Sequence, residues 1–536
     1  MTVRELGEAP PKPGVNGPWA GRRPVLRAFT TSAVTVVALI VLGAAIRILV
    51  ARQSLFADEL STYWIVATHG LGGVLALLNG TYPGISHAEI TPPLFFVLSW
   101  FSSQLGHAPI LLRMPSLVAG ILTIPVVYRL GVRTVGRPAA TLGTALTTLS
   151  PFMIYYSAEA RSYGVMMLLT AASTVSMLKA LETRRARWWA AYGACSCGAF
   201  YAHYTSVFYL IGQFVWLLWA CREAWLPATT ANCGAVVGLL PWAHGLINDL
   251  RSPTANILSF LSPFTPSTVV HSLAHWAIGF PYVEAGGVTA LPGRPALVLL
   301  AVAALLALAG AARRFEWDRS LGLDRRVVLV VGLALSVPFG EALVSTFSTQ
   351  LFGVRNLAAS WPALALAAAW MGMASGPRLR YSVAALSIGA FALGAFKMLT
   401  VHYARPDFRD AAAFLERRVP PGAIVIDTTA SLSPGPLSGL DVALPAGRFR
   451  VVRAGSRTEH THPFGLADPV TSLQQGVSRA VAQSRGGRMF VVAFASQSAP
   501  VIQILSRRYS LVRSRLYPEF VPLEVDIFAP RGSRGR

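Results

Sequence analysis

The sequence predicts an α-helical polytopic membrane protein of about eleven transmembrane helices, followed by a small extracytoplasmic α/β domain. Three observations predict this. Of 536 residues, 53% are apolar and 13% are charged, about half the charge of an ordinary soluble domain, and the mean hydropathy is +0.51. Apolar runs of membrane-crossing length recur between residues 29 and 400, and the composition shifts at about residue 405. A water-soluble enzyme is excluded. The formal charge of +22 does not mark a nucleic-acid partner, because the basic residues stand between apolar runs rather than along one polar face. Lysine occurs only at Lys12, Lys179 and Lys397, so the arginine excess is a composition bias and a single arginine carries little weight.

Residues 1–24 carry Pro10, Pro11, Pro13 and Pro18 and read as a disordered cytoplasmic tail. The run 29–50 follows Arg22, Arg23 and Arg27. It is too long for a signal-peptide core and lacks a small-residue cleavage pattern, so it is the first span. Further spans are expected at 111–130, 139–156, 163–181, 188–201, 206–219, 231–247, 295–312, 327–344, 360–374 and 382–400. The clusters Arg129/Arg133/Arg137, Arg184/Arg185/Arg187, Arg222, Arg313/Arg314 with Arg325/Arg326, and Arg378/Arg380 then share one side. The positive-inside rule makes that side cytoplasmic. The run 94–105 is too short to cross, and counting it would put the Arg129 cluster outside. It is expected to dip into the outer surface from the outer loop 51–110.

This organisation divides the chain into the tail 1–24, a transmembrane domain 25–404 and an extracytoplasmic domain 405–536. The last of these alternates an amphipathic stretch 408–418, β-rich 423–426, helix-like 473–484, and β-rich 489–494 and 521–528, the pattern of a small α/β domain. Cys195, Cys197, Cys221 and Cys233 all precede it in apolar runs and read as packing residues, so the exported domain has no disulfide.

In a chain this poor in charge, acidic residues stand out. Asp58 and Glu59 lie just beyond the first span. They read either as a helix cap or as a partly desolvated carboxylate fit to take a proton from a hydroxyl. Glu159, Arg161 and Tyr163 follow the third span in Ser150-Pro-Phe-Met-Ile-Tyr-Tyr-Ser-Ala-Glu-Ala-Arg-Ser-Tyr163, either an ion pair at a helix junction or the polar wall of a cavity. Glu89 precedes the dipping run, and Arg355 precedes the tenth span, where a guanidinium can snorkel or hold a phosphate near headgroup depth.

Taken in order, Asp58-Glu59, Pro92-Pro93-Leu94, Leu112-Arg-Met-Pro-Ser116, Ser150-Pro-Phe152, Tyr155-Tyr-Ser-Ala-Glu-Ala-Arg-Ser-Tyr163 and Ala202-His-Tyr204 resemble the dolichyl-phosphate-mannose-protein mannosyltransferase-like membrane glycosyltransferases of the C superfamily (family 39). The resemblance covers roughly residues 25–220, and the aminoarabinose transferases that modify lipid A are similar at a lower level. It implies a polyprenyl-phosphate-linked sugar donor in an outward-facing cavity of the cytoplasmic membrane. The acceptor would be an envelope glycan, lipid or protein, with inversion at the anomeric carbon and no nucleic acid involved. Asp58 would be the general base with Glu59 supporting it, Glu159, Arg161 and Tyr163 would line the cavity, and Arg355 would face the phosphate. Many relatives have Arg-Tyr where this chain has Arg355-Asn356. A divalent metal ion at the phosphate would find Glu89 and His87 or His203 as ligands. The competing readings are a transporter or flippase of lipid-linked precursors, and a non-catalytic assembly protein. The first predicts internal repeats, which the sequence lacks; the second leaves Asp58 and Glu159 unexplained.

Overall fold

The computed structural model describes residues 22–85, 89–252, 263–280, 283–284, 287–288, 293–317, 324–432, 436–455 and 472–531. Most of the expected tail 1–24 lies outside the described residues, as does His87.

Among the described residues, seven helices are long and apolar enough to cross a bilayer: Ala33–Ala51, Met114–Thr134, Tyr163–Thr183, Gly293–Arg313, Arg325–Phe347, Asn356–Ala374 and Leu379–Met398. The other four expected spans are helical as well, but short or broken. Ala186–Ala202 has 17 residues and Ser206–Ala220 has 15, about 22–25 Å at 1.5 Å per residue against a hydrocarbon core of about 30 Å.

Two spans read as continuous are interrupted at proline. The expected span 139–156 is Arg137–Leu149 followed by Pro151–Ser157. Pro151 has no N–H, so the carbonyl of Thr147 loses its helical donor. Arg47, buried in the first span, replaces it: Nη2 donates to Thr147 O at 3.0 Å and Nη1 to Thr148 O at 3.0 Å. The expected span 231–247 instead begins earlier, as Trp225–Leu239, passes through a 3₁₀ turn Leu240–Trp242 containing Pro241, and resumes as Ala243–Arg251.

The stretch 51–110, expected to be an outer loop, contains the helices Asp58–Ala67, Leu71–Leu78 and Leu94–Ser103. The last covers the run expected to be too short to cross and has 10 residues. It packs against the first, with Trp100 Nε1 donating to His69 O at 3.1 Å. Close helix approach at the site end depends on Gly164. A Cβ there would sit 2.6 Å from Ser116 O, so glycine lets Tyr163–Thr183 lie directly on Met114–Thr134.

The C-terminal domain is built on a five-stranded mixed sheet. β1 (Val283–Glu284) and β2 (Gly287–Val288) form a separate antiparallel pair in the membrane part. The domain's strands are β3 (Ile424–Asp427), β4 (Arg450–Arg453), β5 (Met489–Phe494), β6 (Tyr509–Tyr517) and β7 (Leu523–Pro530), in the order β4-β3-β5-β7-β6. β3 runs parallel to β4 and β5, and β7 antiparallel to β5 and β6. β3 and β5 are buried along their whole length, because Phe408–Arg418 covers one face and Leu473–Ser484 with Ala495–Leu505 the other; continuous apolar runs are what such strands require. β4 and β6 were not expected from sequence. β6 is an edge strand whose interior positions are exposed and include Arg513 and Arg515, so it shows little apolar signal. The domain docks on the bundle end that carries Asp58: Phe494 meets Phe56 edge-on at 6.2 Å, and Phe520 meets Phe280 at 4.7 Å.

Candidate active site

The site begins with Arg113, fully buried at the head of Met114–Thr134. Its Nη1 donates to the carbonyls of Ala51 (2.9 Å) and Gln53 (2.6 Å), and Nη2 donates to Ser54 O (3.0 Å). These carbonyls belong to the chain leaving the first span, where no helical donor follows. Nε and Nη2 also form a two-pronged pair with Glu59 at 2.6 Å each. Glu59 in addition accepts from Ala160 N (2.8 Å) and Phe56 N (3.3 Å), and its Oε2 lies 3.5 Å from Arg405 Nε. Burial opposes its charge, but Arg113 and then Arg405 outweigh it and hold the carboxyl below its ordinary range. Glu59 is therefore a fully enclosed clasp that joins the first span, the 158–162 turn and the entry to the C-terminal domain.

Asp58, one residue earlier, faces the other way. Ala57 sits at φ +50°, ψ −125°, a backbone state that costs a non-glycine residue about 1–3 kcal/mol. The chain thereby enters Asp58–Ala67 with Glu59 turned inward and Asp58 outward. Asp58 pairs with Arg355, and the two side chains remain 28% and 36% exposed. This pair, joining residues almost 300 apart, is the open part of the site. Burial acts to raise the Asp58 carboxyl, but Arg355 and then Arg161 hold it below the usual carboxylate range.

Arg161 stands behind this pair, with Glu89 rather than Glu159 as its counterion. Its Nη2 donates to Glu89 Oε1 at 2.9 Å and to Thr91 Oγ1 at 3.0 Å, and Thr91 Oγ1 donates to Glu89 Oε1 at 2.8 Å. Among the described residues, Nη1 of Arg161 and Oε2 of Glu159 are buried and make no hydrogen bond, and the Arg405 guanidinium lies 4.8 Å over the Tyr155 ring. Tyr163 packs edge-on to Tyr156 at 5.1 Å and on His203 at 5.4 Å. His203 Nδ1 lies 2.9 Å from Thr205 Oγ1, which donates to Asn356 O at 3.1 Å. Asn356 closes the Arg355 loop through Nδ2 to Leu351 O at 2.7 Å. Ser345 and Glu341 on the preceding span hold the same loop by accepting from Leu351 N, Phe352 N and Gly353 N.

Asp58, Glu59, Glu89, Glu159, Arg161, Tyr163, His203 and Arg355 thus lie together at one end of the bundle, with Glu59 and Glu89 serving as counterions. Sequence reasoning missed Arg113, Arg405 and Thr91. Arg113 lay within a quoted motif, and Arg405 was read only as a domain boundary. Of the expected metal ligands, His87 lies outside the described residues. Glu89 is committed to Arg161 and Thr91, and no group of three His, Cys, Asp or Glu side chains gathers among the described residues.

Glu159 supplies a pH signal. Burial, and next Glu59, push its carboxyl from 4.5 up to about 7. A carboxyl raised on folding holds its proton more tightly in the folded state, so its contribution to stability is complete below the unfolded value and is lost as pH rises through about 7. The melting temperature in detergent is expected to fall across this window, and Glu159→Gln to flatten the fall. An unchanged slope in the variant would assign the titration to another group.

A family profile described as dolichyl-phosphate-mannose-protein mannosyltransferase matches residues 90–247, a stretch that holds Arg113, Glu159, Arg161 and His203 but neither Asp58 nor Arg355. Among solved structures, ArnT from Cupriavidus metallidurans bound to undecaprenyl phosphate is similar at TM-score 0.52 and 13% identity, over 95% of this chain and 98% of that one. The Archaeoglobus fulgidus oligosaccharyltransferase tethered to an acceptor peptide gives TM-score 0.48 at 11% identity, over 90% of this chain and 72% of that one. No curated protein matches the chain in sequence.

Proposed function

Because the chain carries the fold of the C superfamily of membrane glycosyltransferases, we propose that it moves a sugar from a polyprenyl-phosphate donor to a hydroxyl acceptor, with Asp58 as general base. The observation that carries this reading is the part-exposed Asp58–Arg355 pair backed by Arg161. A lipid phosphate is already a good leaving group. The protein must therefore supply a base for the incoming hydroxyl and positive charge for the departing phosphate, and these three side chains provide both. Asp58 takes the hydroxyl proton while the acceptor oxygen bonds to the anomeric carbon from the face opposite the phosphate. The carbon–oxygen bond to the phosphate breaks, and its electron pair leaves on the lipid phosphate against Arg355 and Arg161. The anomeric configuration inverts.

The Asp58–Arg355 pair also implies an order of binding. While it is closed, Arg355 depresses the basicity of Asp58. A donor phosphate competes for the guanidinium and forms the stronger two-pronged contact, releasing Asp58 to act once the donor is in place. The site and the C-terminal domain occupy the extracytoplasmic side of the cytoplasmic membrane in this reading, because the Arg129/Arg133/Arg137 and Arg184/Arg185/Arg187 clusters lie at the other end of their helices. Acceptors of the reading are an envelope glycan, lipid or protein.

The test uses purified protein in sealed vesicles with undecaprenyl-phosphate mannose and undecaprenyl-phosphate arabinose labelled in the sugar. Release of undecaprenyl phosphate with transfer of label to an acceptor is expected. Movement of intact labelled donor across the bilayer without cleavage would replace the reading with a flippase.

A further inference from the structure

Far from the site, at the opposite end of the bundle, Tyr163–Thr183 and Ser206–Ala220 finish and Arg325–Phe347 starts. A cavity of about 820 Å³ opens there among Glu182, Arg184, Trp216, Glu223, Asp324 and Arg325. It runs into a second cavity of about 760 Å³ that is almost wholly apolar, the two sharing Ala186, Trp189 and Pro227 as walls. The second is a groove between Ala186–Ala202 and Trp225–Leu239, floored by small residues such as Gly193, Ala194, Ala231 and Gly234. Gly193 lets the helices touch, since a Cβ there would lie 2.7 Å from Ala231 O, whereas a Cβ at Gly234 would meet nothing within 4 Å.

The dimensions identify what fits. From Ala186 to Cys197 the groove follows eleven helical steps, about 17 Å, which is close to half of a hydrocarbon core of about 30 Å. A polar chamber at the headgroup level leading to an apolar channel one leaflet deep has the shape of a single phospholipid. The level is marked independently: Trp219 and Trp225 are exposed there, and Lys179 Nζ lies 4.0 Å over the Trp188 ring, the aromatic and basic belt of a membrane interface.

Selectivity must come from the chamber, because an acyl chain gains little by leaving equally apolar lipid. Two of the chamber's carboxylates are already engaged. Glu182 pairs with Arg133 at 3.5 Å and Arg326 at 3.8 Å, and Asp324 accepts from Arg326 N at 2.9 Å. Arg184 and Glu223 take part in no ion pair among the described residues. Arg325 makes no ion pair among the described residues either, but its Nη1 donates to Ala220 O at 3.0 Å, which leaves Arg184 and Glu223 as a cation and an anion open to a headgroup that carries both charges.

We propose that this cleft holds one zwitterionic phospholipid with a primary ammonium, in the leaflet opposite the site, its phosphate at Arg184 and its ammonium at Glu223. The proposal stands apart from the transferase reading.

The experiment is native mass spectrometry of the full chain, purified in detergent and exposed to equal amounts of phosphatidylethanolamine and phosphatidylglycerol. One phosphatidylethanolamine per chain is expected, at least about fivefold over phosphatidylglycerol, the preference one charge-assisted contact provides. Gly234→Leu fills the groove, and the open space and the better helix propensity of leucine keep it folded; retention of both lipids should fall. Glu223→Gln, at an exposed position, should leave total retention in place and abolish the preference. Retention of neither lipid by the unsubstituted chain, equal retention of the two, or undiminished retention in Gly234→Leu would overturn the proposal.

Discussion

Asp58→Asn is expected to lower sugar transfer by about 10²–10⁴-fold, the range a positioned general base contributes, while leaving the fold and donor binding in place. Asparagine occupies the same volume and can still accept from Arg355, so the local packing survives. What disappears is the ability to accept a proton. The variant also loses the charge that competes with the donor phosphate for Arg355, so donor affinity should hold or rise. Activity falling with donor affinity intact is a signature that collapse of the site would not give. The measurement is initial rate and donor dissociation constant in the same vesicles, with a melting curve as the check on folding. Full activity in Asp58→Asn would remove the base assignment, and an equal loss of donor binding would return Asp58 to a purely structural role.

How the sequence and the structure divide the work is clearest at the Asp58-Glu59 pair. Two adjacent carboxylates next to a span read either as a helix cap or as a site, and nothing in the string says which one faces the cavity. That depends on Ala57 entering the helix at positive φ and on Arg113, more than fifty residues away, drawing Glu59 inward. The same limit applies to Glu159 and Arg161. Their spacing left an ion pair and a cavity wall both open, and the counterion of Arg161 proves to be Glu89, while the intervening turn joins the two through the backbone, Arg161 N to Glu159 O at 2.8 Å. Spans were legible because apolar runs and flanking arginines are local signals. The breaks at Pro151 and Pro241 were hidden because the runs stay apolar across them, and the donor that makes the first break tolerable, Arg47, lies in another helix. In the C-terminal domain the buried strands β3 and β5 were visible as apolar runs, whereas β4 and β6, exposed and arginine-bearing, carried no such pattern.

Arg113→Met is expected to be the most destabilising single change at this end of the protein. Breaking a buried ion pair from one side costs about 3–5 kcal/mol, since the remaining charge stays in a low-dielectric site without its partner. Here Glu59 would keep Arg405 at 3.5 Å and the N–H of Ala160, which softens that loss. The carbonyls of Ala51, Gln53 and Ser54 have no such reserve, because Arg113 is their side-chain donor, and a buried acceptor left unmade adds about 1–3 kcal/mol. Methionine fills the volume but donates nothing. The segment 51–57 should therefore loosen, and with it the strained entry at Ala57 that turns Asp58 toward Arg355. Glu59→Gln is the informative contrast. It keeps acceptor capacity toward Ala160 and Arg113 and removes only charge, so its melting temperature in detergent should lie between those of the unsubstituted chain and Arg113→Met. The reverse order would mean that charge neutralisation at Glu59, rather than carbonyl capping by Arg113, holds the loop, and the clasp would then have to be redrawn around the carboxylate.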